Sequence, residues 1–86
     1  MPYRVIWEET CSVGIEEVLD AGESARHILR VVDEIENRLA ADPYSNGREL
    51  SEELRIADEL PLRDFFYIEE PDQIVKITAV RRLFAR

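Results

Sequence analysis

The chain has 86 residues, room for one hydrophobic core, because a protein this short leaves about a third or more of its unfolded surface exposed after folding. With 45% apolar and 35% charged residues, its composition is globular rather than disordered. Nineteen acidic against eleven basic side chains give a net charge of −8, which opposes general binding to DNA or RNA. No run reaches the ~18–20 apolar residues of a membrane span and no signal-peptide core follows Met1-Pro2-Tyr3-Arg4, so a cytoplasmic protein without a membrane partner is expected. A lone Cys11 and a lone His27 exclude an internal disulfide and are too few for a structural metal site, and neither metal nor cofactor is expected.

The charge is unevenly spread. Residues 1–54 hold five basic and thirteen acidic side chains, whereas residues 55–86 hold six of each. An anion-binding surface is therefore expected in the second part.

Tyr3-Arg4-Val5-Ile6-Trp7 is β-branched and aromatic with alternating faces, the pattern of an opening strand. Over 12–21, Ile15, Val18 and Leu19 fall at helical spacing despite Gly14, and Gly22 supplies a stop. Ser24 can cap a second helix whose apolar stripe is Ala25, Ile28, Leu29, Val32, Ile35 and Leu39, and which ends before Asp42-Pro43. Tyr44-Ser45-Asn46-Gly47 reads as a loop.

Three antiparallel strands are expected at 54–58, 62–69 and 74–83, joined by Glu59-Leu60-Pro61 and Glu70-Pro71-Asp72-Gln73. In the middle strand Phe66 and Ile68 oppose Arg63, Phe65 and Tyr67. Strict alternation in the last sets Val75, Ile77, Ala79 and Arg81 against Ile74, Lys76, Thr78 and Val80. The predicted architecture is a single α+β domain over 1–86, in the order β-α-α-β-β-β, with a helical hairpin on one face of a mostly antiparallel sheet. The other face is a groove partly lined by aromatics and arginines.

This order resembles the RelE/ParE superfamily of type II toxin–antitoxin modules, the plasmid-stabilisation proteins. The residues that carry the resemblance are the first strand, the helical hairpin ending in Leu39-Ala40-Ala41-Asp42-Pro43, and the loop to Gly47-Arg48-Glu49-Leu50. They continue through Leu54-Arg55-Ile56, Leu62-Arg63-Asp64-Phe65-Phe66-Tyr67-Ile68 and the run from Ile74 to Arg82. The resemblance implies a cognate antitoxin as partner, and either ribosome-dependent mRNA cleavage or inhibition of a protein target such as DNA gyrase by binding. For cleavage it implies that Arg55, Arg63 and Arg81 contact the scissile phosphate, where cations stabilise developing charge. For partner binding it implies Arg63, Phe65, Tyr67 and Arg82.

Members that cut RNA are strongly basic and place a tyrosine or histidine near the chain end for proton transfer. This chain has one lysine, Lys76, and ends Leu83-Phe84-Ala85-Arg86. The alternative is a non-toxic protein-binding module that keeps the toxin fold without the chemistry.

Simpler roles compete at each position. The arginines can pair with Asp58, Asp64 and Glu69 as solvated strand residues, an arrangement contributing ~0–1 kcal/mol per pair. The Glu-Glu dipeptides diverge on strand or helix and read as solvated surface. His27 reads as partly exposed, Cys11 as a small residue near a helix start, and Phe65, Phe66, Tyr67 and Trp7 as core or interface residues.

Overall fold

The computed structural model describes residues 2–83. Seven elements follow one another: β1 (Arg4–Trp7), α1 (Cys11–Asp20), α2 (Ala25–Ala41), β2 (Arg48–Ser51), β3 (Leu54–Glu59), β4 (Leu62–Glu69) and β5 (Ile74–Arg82). The strands form one mixed sheet in the order β1-β5-β4-β3-β2, with β1 parallel to β5 and every other neighbour antiparallel.

The sheet has one strand more than expected. β2 pairs with β3 through a turn in which Glu52 and Glu53 take φ of +36° and +72°. A turn with two left-handed residues normally uses Asn-Gly or a similar pair, because side chains beyond Cβ are strained there.

Ser24 caps α2 as expected: its Oγ accepts a hydrogen bond from the His27 amide at 3.0 Å. The helix buries Ile28, Val31, Ile35 and Leu39, but Leu29 is 65% exposed and Ala25 is also exposed, contrary to the predicted stripe. Consecutive residues diverge by about 100° around a helix, so burying Ile28 turns Leu29 away and brings Val31 inward. α1 closes with Gly22 at φ +103°, where the Glu23 amide donates to Val18 O and the Gly22 amide to Leu19 O, the usual glycine-terminated helix end.

Both helices lie on one sheet face. There Ile28, Val31, Ile35 and Leu39 meet Leu62, Phe66, Val75, Ile77 and Val80, with Val18 and Cys11 from α1. Trp7 is half-buried against this core and donates from its indole nitrogen to Glu36 Oε1 at 2.8 Å.

A β-bulge in β5 corrects the expected alternation. Phe65 pairs with Ala79 but Phe66 pairs with Ile77, so Thr78 is an extra residue and the strand changes phase. Val75, Ile77 and Val80 therefore share the core, whereas Ala79 and Arg81 face the other way. The bulge is held from the segment that leads into α1: the Glu8 amide donates to Ile77 O at 2.9 Å, the Cys11 thiol to the same oxygen at 3.3 Å, and the Thr10 hydroxyl to Thr78 O. Burial raises the Cys11 thiol pKa, which keeps it in the unreactive protonated form.

Beyond Ile77, β5 has no β1 residue beside it, and α1 takes that place. Glu17 Oε1 accepts the Arg82 amide at 3.2 Å, satisfying an edge-strand donor. Gly14 makes the close approach possible. A Cβ there would sit 1.8 Å from Val80 O.

Asp64 departs furthest from its expected role as an exposed ion-pair partner. It shares the core face with Leu62 and Phe66, is fully buried, and neither carboxyl oxygen has a hydrogen-bond partner. It borders a cavity of about 20 Å³ edged by Ile35, Leu39, Ala57, Arg38, Asn46 and Glu59. Burial, reinforced by Asp58 and Glu59, pushes its pKa from 3.8 to about 7.

Two predictions follow from this packing. Gly14→Ala should destabilise the protein by about 3 kcal/mol in urea unfolding, because Val80 O is backbone and cannot yield locally. For Asp64, the folded pKa lies above the unfolded one, so the native state binds more protons between about pH 4 and 7. Stability should fall as pH rises through that window and reach its minimum above pH 7. Asp64→Asn should flatten this dependence and be more stable than the parent at pH 8, by up to about 4 kcal/mol, with the difference vanishing near pH 4.

Candidate functional site

The face of the sheet away from the helices carries no helix, although Ile56 on it is buried. Register and alternation place on it Arg4 and Ile6 from β1, Arg48 from β2, Ile56 and Asp58 from β3, Arg63, Phe65, Tyr67 and Glu69 from β4, and Ile74, Lys76, Ala79 and Arg81 from β5. Among the described residues five cationic side chains thus share this face with two carboxylates, on a chain whose total is −8.

Arg63 lies at the centre, opposite Asp58 on β3 and Arg81 on β5. Its guanidinium grips Asp58 in a two-pronged pair, Nε to Oδ1 at 2.6 Å and Nη2 to Oδ2 at 2.9 Å. Those bonds hold the Asp58 pKa below the usual carboxylate range and raise that of Arg63. Arg81 is well exposed, with Nε 3.7 Å from Glu17 Oε1. Lys76 stands opposite Tyr67 and pairs with Glu69 at 3.2 Å. Phe65 is half-buried against Ala79 and Ile56, and Tyr67 is exposed.

Of the residues expected to contact phosphate, the fold brings Arg63 and Arg81 together and leaves Arg55 out. Arg55 pairs with the core residue Phe66 and so lies on the helix side of the sheet. There its Nη2 donates to Tyr44 O at 3.1 Å and Gly47 O at 3.2 Å, and its guanidinium stacks 5.6 Å from the Tyr44 ring centre. Its place is that of a clamp on the 42–47 loop. Arg82, expected among the partner contacts with Arg63, Phe65 and Tyr67, pairs with Leu62 and also belongs to the helix side. The proton-transfer position read at the chain end falls largely on residues 84–86, outside the described residues. Arg4 and Arg48 reach the open face without having been singled out; only the register reveals them.

A second constellation sits where β4 turns toward β5. Tyr3 and Tyr44 both donate to Glu70 Oε2, at 2.5 and 3.0 Å, and their rings meet edge to face at 6.4 Å. An ionised phenolate would lose its bond to the carboxylate and be repelled by it, so the Tyr3 pKa is pushed up to about 12 and that of Tyr44 rises too. Tyr44 and Glu70 border an open cleft of about 500 Å³ shared with Glu53, Tyr67, Ile68 and Glu69. These phenols remain protonated donors at neutral pH, which suits fastening loop to strand rather than proton exchange.

Among the described residues there is no group of three or more His, Cys, Asp or Glu placed to hold a metal ion, and no helix long and apolar enough to cross a membrane.

No protein-family profile matches the chain, and no curated protein does. A solved structure does: a chain in the crystal structure of the toxin–antitoxin complex RelBE2 from Mycobacterium tuberculosis. It is similar with a TM-score of 0.76 and 21% identity, covering 95% of this chain and 99% of that one. At that identity the likeness is one of fold. The chain has a RelE-like α+β fold, two helices on one face of a five-stranded mixed sheet.

Replacing the shared acceptor tests the tyrosine assignment. Glu70→Gln should bring the Tyr3 midpoint down from about 12 toward 10 and lower that of Tyr44 in the same direction, read by ultraviolet absorbance during alkaline titration.

Proposed function

We propose that this chain is the toxin-family component of a type II toxin–antitoxin module, that its open sheet face is the working surface, and that a cognate antitoxin covers that face. The observation that carries the reading is the charge segregation: Arg4, Arg48, Arg63, Lys76 and Arg81 gather around Phe65 and Tyr67 on one face of an acidic molecule. Such a face attracts an anionic target locally while the rest of the surface repels it, which favours a single docking orientation. The match to a chain of a toxin–antitoxin complex supports the same reading.

Within it, the geometry favours binding over cutting. Arg55 faces away from the site, and the Arg63 fork is occupied by Asp58. A nuclease site needs several preorganised cations converging on one phosphate, and among the described residues Arg63 and Arg81 are the pair that the register sets side by side. Inhibition of an anionic macromolecular target by docking is therefore the mode proposed. The non-toxic module remains the second reading, favoured by the same Asp58–Arg63 closure, which neutralises the central cation in the isolated chain.

Tightly induced expression of the chain alone should arrest growth without fragmenting cellular mRNA. Arg63→Ala combined with Arg81→Ala should restore growth while leaving the circular dichroism spectrum unchanged, and Asp58→Asn, which frees Arg63, should deepen the arrest. Normal growth on expression of the parent chain would exclude the toxin reading in favour of the binding module; fragmented mRNA would exclude docking without cleavage.

A further inference from the structure

The charged groups around the small cleft beside Asp64 do not balance. Asp64 is fully buried with both oxygens unpartnered, and the apolar walls Ile35, Leu39 and Ala57 leave it little polarisable surrounding. From β3, Glu59 adds a second carboxylate on this side of the sheet, and Asp58, although its oxygens hold Arg63, adds negative potential. From α1, the Cys11 thiol is close enough to sense the Asp64 charge, and β5 contributes the apolar Val80 opposite. Among the described residues the cationic side chain lining the cleft is Arg38, and its guanidinium is engaged by other carboxylates. Its Nε bonds Glu34 Oε1 at 3.0 Å, its Nη1 meets Glu59 Oε1 at 3.0 Å, and its side chain is half exposed. Asn46 is fixed at the rim by donating its amide to Arg38 O and Asp42 O.

We infer that the cleft between the C-terminal half of α2 and the β3–β4 hairpin is a binding site for a compact monovalent cation, an ammonium group or an ion of similar size, with Asp64 as its principal ligand. The size follows from the space: about 20 Å³ admits one water-sized group. A guanidinium is larger than that space, and the one on Arg38 is held by Glu34 and Glu59. The charge follows from the Asp64 carboxyl, whose two oxygens have no partner while Glu59 is already paired with Arg38, and from the apolar walls, which strengthen attraction to a cation that enters. Nothing in this inference depends on whether the protein is a toxin, because the cleft lies on the helix side of the sheet.

Binding must displace the proton on Asp64, so cation and proton compete and the linkage is reciprocal. The carboxyl carbon of Asp64 can be followed by 13C NMR across pH at constant ionic strength in three chloride salts: tetramethylammonium, too large to enter, potassium, and methylammonium. The expected result is a midpoint lower by about one unit or more in potassium or methylammonium than in tetramethylammonium, a tenfold linkage. An effect of both small cations assigns an ion site; an effect of methylammonium alone assigns a site for a primary amine such as a lysine head group. Equal midpoints in all three salts would overturn the inference, leaving Asp64 satisfied by its own proton or by water. The measurement uses the parent chain. In the folded Asp64→Asn variant, any thermal stabilisation by methylammonium relative to tetramethylammonium should disappear, and its persistence would also overturn the assignment.

Discussion

The extra residue in β5 sets the geometry on which the rest of the structure depends. A strand with period two cannot put Val75, Ile77 and Val80 into one core and Arg81 on the opposite face; inserting Thr78 into the ladder makes both possible. At the insertion Ile77 O accepts the Glu8 amide, the last rung of the parallel β1–β5 ladder, and also the Cys11 thiol, while Thr78 O accepts the Thr10 hydroxyl. Gly14 then lets the helix lie against the Val80 carbonyl, and Glu17 finishes the strand edge at Arg82. Bulge, helix entry, glycine contact and edge cover form one mechanical unit, whose output is the position of Arg81 beside Arg63.

That unit also divides the charges. The helices and the 42–47 loop carry seven of the nineteen acidic side chains and most of the others lie in turns or on the helix side of the sheet, while alternation along four strands delivers Arg4, Arg48, Arg63, Lys76 and Arg81 to the other face. Arg55 escapes this sorting because its register partner is Phe66, and it fastens the loop with Tyr44 instead. At the same end, Tyr3 and Tyr44 converge on Glu70, tying β1, the loop and the end of β4 together. Asp64 is the exception to charge sorting, a carboxyl placed among core residues where an apolar side chain would cost less.

Much of this was legible in the sequence. The strong periodicity and Ser24 cap of α2, the hairpin boundaries around β4 and the alternation of Phe66 against Arg63, Phe65 and Tyr67 all appear in the structure as read. β2 was hidden because its turn uses Glu52-Glu53 in a left-handed conformation that residue preferences do not signal. Leu29 and Val31 exchanged roles because hydrophobicity alone does not fix the rotation of a helix about its axis. A bulge leaves no mark in composition, so the face of Arg81 could not be read, and with Arg55 the register with Phe66 decided what residue type did not. Asp64 looked like a surface residue because aspartate nearly always is one. The site is therefore less legible than the fold: its membership depends on register, which is set by tertiary contacts.

The central claim is that the open sheet face is a basic docking surface on an otherwise acidic protein. Amide and side-chain NMR shifts recorded while a short single-stranded RNA is titrated into the folded chain, at low and at physiological salt, test it most directly. The account predicts shifts confined to Arg4, Arg48, Arg63, Phe65, Tyr67, Lys76 and Arg81 that weaken steeply as salt rises. Shifts scattered over both faces, centred on α2, or insensitive to salt would contradict it.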